Sequence, residues 1–165
     1  MITSFEVFME LINKDCVSYK LVDDKDFQNA YNWLNKTVGY SNNPIWAWYQ
    51  RGTETKEDYY KFCLEDSLTN RFENDVIFLE LKVPDEEVTL TDYFTWHHVL
   101  NVFYLDEDLD DVDDFDFDRV YSQEEKEESW LRVFNIDRSS EGWIQATFPI
   151  LKKEYVKRVR FMPNC

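Results

Sequence analysis

Ser41-Asn42-Asn43-Pro44-Ile45-Trp46-Ala47-Trp48-Tyr49-Gln50-Arg51-Gly52-Thr53 is the stretch from which the fold is best read. Its opening residues are turn formers. The run from Ile45 to Gln50 is rich in β-branched and aromatic side chains that suit a pleated, half-buried surface, and Arg51-Gly52-Thr53 ends it. Extended, the run places Trp46, Trp48 and Gln50 on one face. Helical patterns stand on both sides of this strand. Upstream, Phe27, Ala30, Tyr31, Leu34 and Val38 form one stripe within Asp23 to Val38, with Gly39 where a helix would stop. Downstream, Tyr60, Cys63, Leu64 and Leu68 recur within Lys56 to Leu68.

Working outward, Thr3 and Glu6 have capping-box spacing, and Phe5, Phe8, Leu11 and Ile12 predict a helix over 4–13. A short strand over 16–21 follows. Val76 to Val83 reads as a strand closed by Pro84-Asp85, and Val88 to Thr91 as a short strand leading into a helix from Asp92 to about Val102. Ser122 with Glu125 starts a helix that buries Trp130, Leu131, Val133 and Phe134. Trp143 to Phe148 and Val156 to Met162 are the last strands. Helices and strands mix without a regular β-α-β-α rhythm, and no repeat or linker divides the 165 residues. The expectation is a single α+β domain over 1–165, with helices packed on a mixed or mainly antiparallel sheet.

Between the helix ending near Val102 and the one starting at Ser122 lies an acidic loop, Asp106 to Asp118, with nine acids in thirteen positions. Asp106, Asp108, Asp110, Asp111, Asp113, Asp114, Asp116 and Asp118, with Glu107, carry more than half of the formal charge of −16. Such a field repels phosphate backbones and anionic lipid, which argues against direct nucleic-acid or membrane binding and for a protein partner with a basic surface. If Asp114-Phe115-Asp116-Phe117-Asp118 is extended, three carboxylates share one face and two rings the other, a spacing of charge able to mimic a phosphate backbone. Asp114, Asp116, Asp118, Ser122 and Glu125 also follow EF-hand spacing, but Arg119 stands where that loop needs glycine.

Three glycines leave no room for a Gly-rich phosphate loop, and no nucleophile elbow or His-Glu-x-x-His occurs. His97 and His98, adjacent on a helix, point about a quarter turn apart and do not clamp one metal together. The chain is therefore expected to carry no metal and no cofactor. Cys16, Cys63 and Cys165 are odd in number and widely spaced, which suits a reducing, cytoplasmic setting. No signal peptide or apolar span of membrane length is visible.

A second candidate site is an aromatic cleft. It combines Trp46, Trp48 and Gln50 on one strand with Trp143, Gln145 and Thr147 on another, and with the Tyr93, His97, Asn101 flank of the middle helix. Such a set suits a planar ligand such as a base or nicotinamide, with Trp46 and Trp48 stacking and His97 or Gln145 on its polar edge.

Five segments together carry a resemblance: Pro44-Ile45-Trp46-Ala47-Trp48-Tyr49, Leu79-Glu80-Leu81-Lys82-Val83-Pro84-Asp85, Trp96-His97-His98-Val99-Leu100-Asn101, Ser129-Trp130 and Ile144-Gln145-Ala146-Thr147-Phe148. In that order, over about residues 20–162, the chain resembles the small bacterial proteins of the domain of unknown function 3841 family. The resemblance implies a single intracellular domain and no particular activity. Members of that family open with a strand containing Trp and Gln, which Met1 to Phe8 lacks. The strand order resembles, more distantly, small ADP-ribosyltransferase-like folds, but their early-strand histidine or arginine and late glutamate have no counterpart here.

The leading expectation is a non-enzymatic interaction protein, an inhibitor of a nucleic-acid-binding machine such as a bacterial defence system, presenting its acidic run to a basic groove. The alternative is a nucleotide- or NAD-handling enzyme or sensor built on the aromatic cleft.

Overall fold

The computed structural model describes residues 1–18, 25–68, 76–105 and 120–162. Three small sheets, antiparallel throughout, organise them. The first runs in the order β1 (Ile2–Ser4), β4 (Val76–Leu81), β8 (Val156–Met162). The second runs β3 (Ile45–Arg51), β6 (Trp143–Phe148), β5 (Thr89–Asp92), and the third pairs β2 (Cys16–Val17) with β7 (Leu151–Lys152). Five helices accompany them: α1 (Phe5–Lys14), α2 (Lys25–Val38), α3 (Lys56–Leu68), α4 (Tyr93–Leu100) and α5 (Gln123–Ser129). The class is α+β, with the sheet divided into three.

Local chemistry explains the boundaries. Ser4, not Thr3, caps α1, accepting from the Val7 amide at 3.3 Å, because Thr3 is taken up in β1 opposite Ile77. Gly39, at φ 79°, turns the chain out of α2, and its amide and that of Tyr40 both reach the Asn35 carbonyl at 2.9 Å. The Asp92 carboxylate accepts from the Thr95 amide at 2.8 Å, so α4 begins at Tyr93. It ends at Leu100 rather than Val102, which has the left-handed φ of 59°. Ser122 and Glu125 form the reciprocal capping box that starts α5, so these two positions of the EF-hand pattern serve a helix start.

Two larger apolar clusters, beside a small one of Cys63, Phe78 and Met162, hold the layers. On one side Ala30, Trp33 and Leu34 of α2 meet Trp96 and Val99 of α4 and Trp130 and Val133 of the 3-10 turn after α5. Trp33 meets Trp130 edge to face at 5.5 Å, and the Trp130 indole donates to the Phe103 carbonyl at 2.6 Å. On the other side Leu11 of α1 joins Ile45, Ile77, Leu79, Phe148 and Leu151 from all three sheets.

The described ends of the acidic connection are tied down. Tyr104 and Tyr121 stack in parallel with centroids 3.8 Å apart. The Leu105 amide donates to Ser129 Oγ at 3.0 Å, and Arg132 donates to the Leu105 carbonyl at 3.2 Å. No helix among the described residues is long and apolar enough to cross a membrane.

Candidate ligand-binding cleft

The pleat of the second sheet sorts its side chains. Trp46 pairs with Thr147 and Trp48 with Gln145, so these share a face as the alternation requires. A bulge between Trp48 and Gln50 then changes the register: Gln50 falls opposite Ile144, and Arg51 opposite Trp143. Gln50 is thereby turned away from Trp46 and Trp48, and Arg51 takes the place beside Trp48. This substitution of a cation for an amide is the main departure from the alternating pattern, and nothing in the local composition announces it.

The face carrying Trp46 is closed by α4. Trp46 packs against Trp96 with centroids 5.0 Å apart and against Tyr31 at 6.4 Å. Tyr93 lies on Trp48 at 4.8 Å, and His97 lies 4.3 Å from Tyr93. His97 is exposed, and its Nδ1 meets the Tyr93 carbonyl at 2.9 Å. Asn101 is exposed too and caps α4, donating to the His97 carbonyl at 2.7 Å. Gln145 is half-buried, and its Oε1 accepts no hydrogen bond. Trp46, Trp48 and Tyr93 thus converge in the packed layer between sheet and helix, while His97 and Asn101 stand exposed beyond it.

The open space lies elsewhere. A cleft of about 1050 Å³ is lined by residues of both the second sheet and the first, beside the core that the two sheets share. Its floor includes Ala47, Leu90, Ala146 and Phe148, and its opposite wall Phe78, Leu79 and Leu81. Trp48, Tyr49, Tyr59 and Phe134 add aromatic surface. Of the six ligand candidates read from the sequence, Trp48 lines it. The central pair of the floor, Ala47 opposite Ala146, has short side chains on both strands, which leaves room that larger residues would fill.

One wall is the loop after the 3-10 turn, which contributes Asn135, Ile136 and Arg138. Gln50 holds this loop, donating to the carbonyls of Ser139 and Gly142. A side chain at Gly142 would place its Cβ 2.0 Å from the Asp137 carbonyl oxygen, so the close return of the chain requires glycine.

Charge in the cleft departs from that of the chain. The whole sequence has 34 acids to 18 bases. Arg51, Lys56, Lys82 and Arg138 line the cleft beside Glu54, Glu80 and Asp85, a balance tipped towards bases. Glu80 is already engaged, 3.5 Å from Arg160 and 3.7 Å from Arg158. Burial, reinforced by the neighbouring Cys63, pushes the Tyr59 phenol well above its ordinary value, against the opposing influence of Arg51 and Trp48. Tyr59 therefore stays a neutral aromatic wall. Among the described residues no group of three His, Cys, Asp or Glu is placed to hold a metal ion.

A scan against family models matches residues 6–157 to a family described as a domain of unknown function (DUF3841). The chain belongs to this family. The match spans every described element except β1 and most of β8, so the DUF3841 region contains both walls of the cleft and nearly all of α1. Searches of curated proteins and of solved structures return no significant match. The run Asp106 to Asp118, with its eight candidate partner-binding aspartates, lies outside the described residues.

Proposed function

We propose that this chain is a binding module for a planar metabolite of the nucleotide class, seated in the cleft between the first two sheets. The observation that supports it is the cleft itself: its volume of about 1050 Å³ is just above the ~300–1,000 Å³ usual for small-molecule sites. Aromatic rings and apolar side chains make up most of the lining, and a few cations provide the polar anchors that fix orientation. The reading moves the nucleotide or NAD alternative from the α4 face to the opposite side of the same sheet, with Trp48 common to both.

Binding rather than catalysis is proposed because the described lining residues include no histidine, cysteine or serine to pair as nucleophile and base. Trp48 is a built-in reporter. Titration of the protein with adenosine, AMP and NAD is expected to change tryptophan emission and to release heat. Ala146→Leu, which fills the floor, is expected to abolish both signals while the melting temperature stays within a few degrees. Ligand-independent emission across that panel, or binding unaffected by Ala146→Leu, would end this reading.

A second reading rests on the nine acids from Asp106 to Asp118: a surface for a basic protein groove, as in an inhibitor of a nucleic-acid-binding machine. It calls for a salt-sensitive partner that is lost when Asp111, Asp113, Asp114, Asp116 and Asp118 are changed to Asn. A partner retained by that variant at low and physiological salt would exclude it.

A further inference from the structure

Arg51 is held in an unusual way. Its guanidinium carbon lies 4.2 Å from the ring centroid of Tyr59, 5.0 Å from Trp48, 5.1 Å from Trp143 and 5.5 Å from Phe62. The side chain is 13% exposed, yet Nε and Nη1 make no hydrogen bond. Among the described residues a carboxylate oxygen, Glu54 Oε2, stands 3.4 Å from Nε, close enough for attraction and poorly aligned for donation. Aromatic faces stabilise the charge of a guanidinium through its own faces and leave the in-plane N–H fork unsatisfied. Desolvated donors without an acceptor are unfavourable, so the arrangement favours an acceptor arriving edge-on.

Arg160 is the internal comparison. It also lies over a ring, Tyr60 at 4.3 Å, but its Nη1 donates to Glu57 at 2.7 Å and its Nη2 to Glu80 at 3.5 Å. Carboxylates from its own chain thus engage both terminal nitrogens of Arg160 and leave only its Nε without an acceptor. Arg51 has the ring and lacks the fork partner, and it lines the cleft with Lys56 from the first turn of α3.

Building on the cleft reading, we infer that Arg51 reads an oxyanion, phosphate or carboxylate, carried by the planar ligand, and thereby sets the preference of the site for nucleotides over nucleosides. The oxyanion accepts from the in-plane donors of Arg51 while the rings of Trp48, Tyr59 and Trp143 keep the guanidinium in place. Glu54 is the competitor that the oxyanion displaces.

Calorimetric titration of the full chain with adenosine, AMP and nicotinate tests this. AMP is expected to bind at least tenfold tighter than adenosine, with a margin that shrinks as salt rises. Arg51→Gln is expected to reduce that margin below twofold, and Arg51→Lys to restore little of it, because an ammonium cannot offer the planar fork. Because Arg51 variants also lose the ring cage, Glu54→Gln provides a readout that leaves the cage intact: removal of the competing carboxylate is expected to tighten AMP several-fold and leave adenosine unchanged. Nicotinate binding that is lost in Arg51→Gln would identify a carboxylate as accepted alongside phosphate. Equal affinities for AMP and adenosine in the unmodified protein, or an unchanged AMP affinity in Glu54→Gln, would overturn the role of Arg51 while leaving the cleft reading in place. Absence of binding by all three ligands would overturn both.

Discussion

The two faces of the second sheet differ by one residue in sequence and by everything in environment. Trp46 faces α4 and is packed against Trp96, while Ala47, its neighbour, faces the cleft opposite Ala146. Thr147 is fully buried on the helix side, and Ala146, 8% exposed, lines the cleft on the other. A pleat sends successive residues to opposite faces, so the short pair Ala47 and Ala146 leaves room beside Ile45 and Phe148, which are core on the same face. The difference teaches that the space in this molecule is encoded by where short side chains fall in register. It is not encoded by where the conspicuous tryptophans fall.

The strongest way to break this contrast is to empty the packed face. Trp96→Ala removes a ring that is 3% exposed and is expected to lower unfolding free energy by about 3–5 kcal/mol, measured by urea denaturation. A loss under ~1 kcal/mol would mean that the α4 face is not a close-packed core.

A paired substitution sharpens the contrast at neighbouring positions. Thr147→Leu removes a hydroxyl that donates to the Thr89 carbonyl at 3.2 Å and forces volume into a filled layer, and is expected to cost about 1–3 kcal/mol. Ala146→Leu projects into the cleft and is expected to cost under about 1 kcal/mol. Equal costs in thermal melts would contradict the asymmetry of the two faces.

A helix start remote from both faces sets the scale. Ser122→Ala removes the capping box of α5 and is expected to destabilise by about 1 kcal/mol, with no change in nucleotide affinity by calorimetry.

The smallest effect concerns pH at the cluster joining the turn before β5 to β7. The Tyr155 hydroxyl, donating at 2.6 Å, and then Lys152, at 2.9 Å, hold the Glu87 carboxyl below its ordinary value. A depressed folded value stabilises above the unfolded value of about 4.3 and the benefit disappears as pH falls through the folded value. Glu87→Gln is therefore expected to be less stable than the unmodified chain at neutral pH, with the gap closing as pH falls below that unfolded value. A gap that is constant with pH in melting experiments would assign the contact a packing role only.

Much of the fold was legible because periodicity and turn chemistry are local. Lys56–Leu68, Trp143–Phe148 and Val156–Met162 coincide with the elements expected from their patterns. β1 was not legible: Ile2–Ser4 has no alternation long enough to see, and it is a strand because β4 offers it an edge. β7, two residues long, has the same origin in its pairing with β2. The convergence of Trp48, Gln145 and Tyr93 was legible from alternation and helical spacing. That α4 would lie on Trp46 and close that face was not, since sequence shows which residues share a face and not what covers it. Arg51 is not legible as a neighbour of Trp48, because a single-residue bulge places it there.

The stacked pair Tyr104 and Tyr121 has a consequence for how such a chain varies. It brings the two strands of the chain together at the base of the acidic connection, and Ser129 and Arg132 fasten Leu105 beside it. Closing a longer loop on a fixed base costs only about 0.6 kcal/mol per doubling of its length. The base is therefore held by contacts among described residues, whatever length of chain it closes.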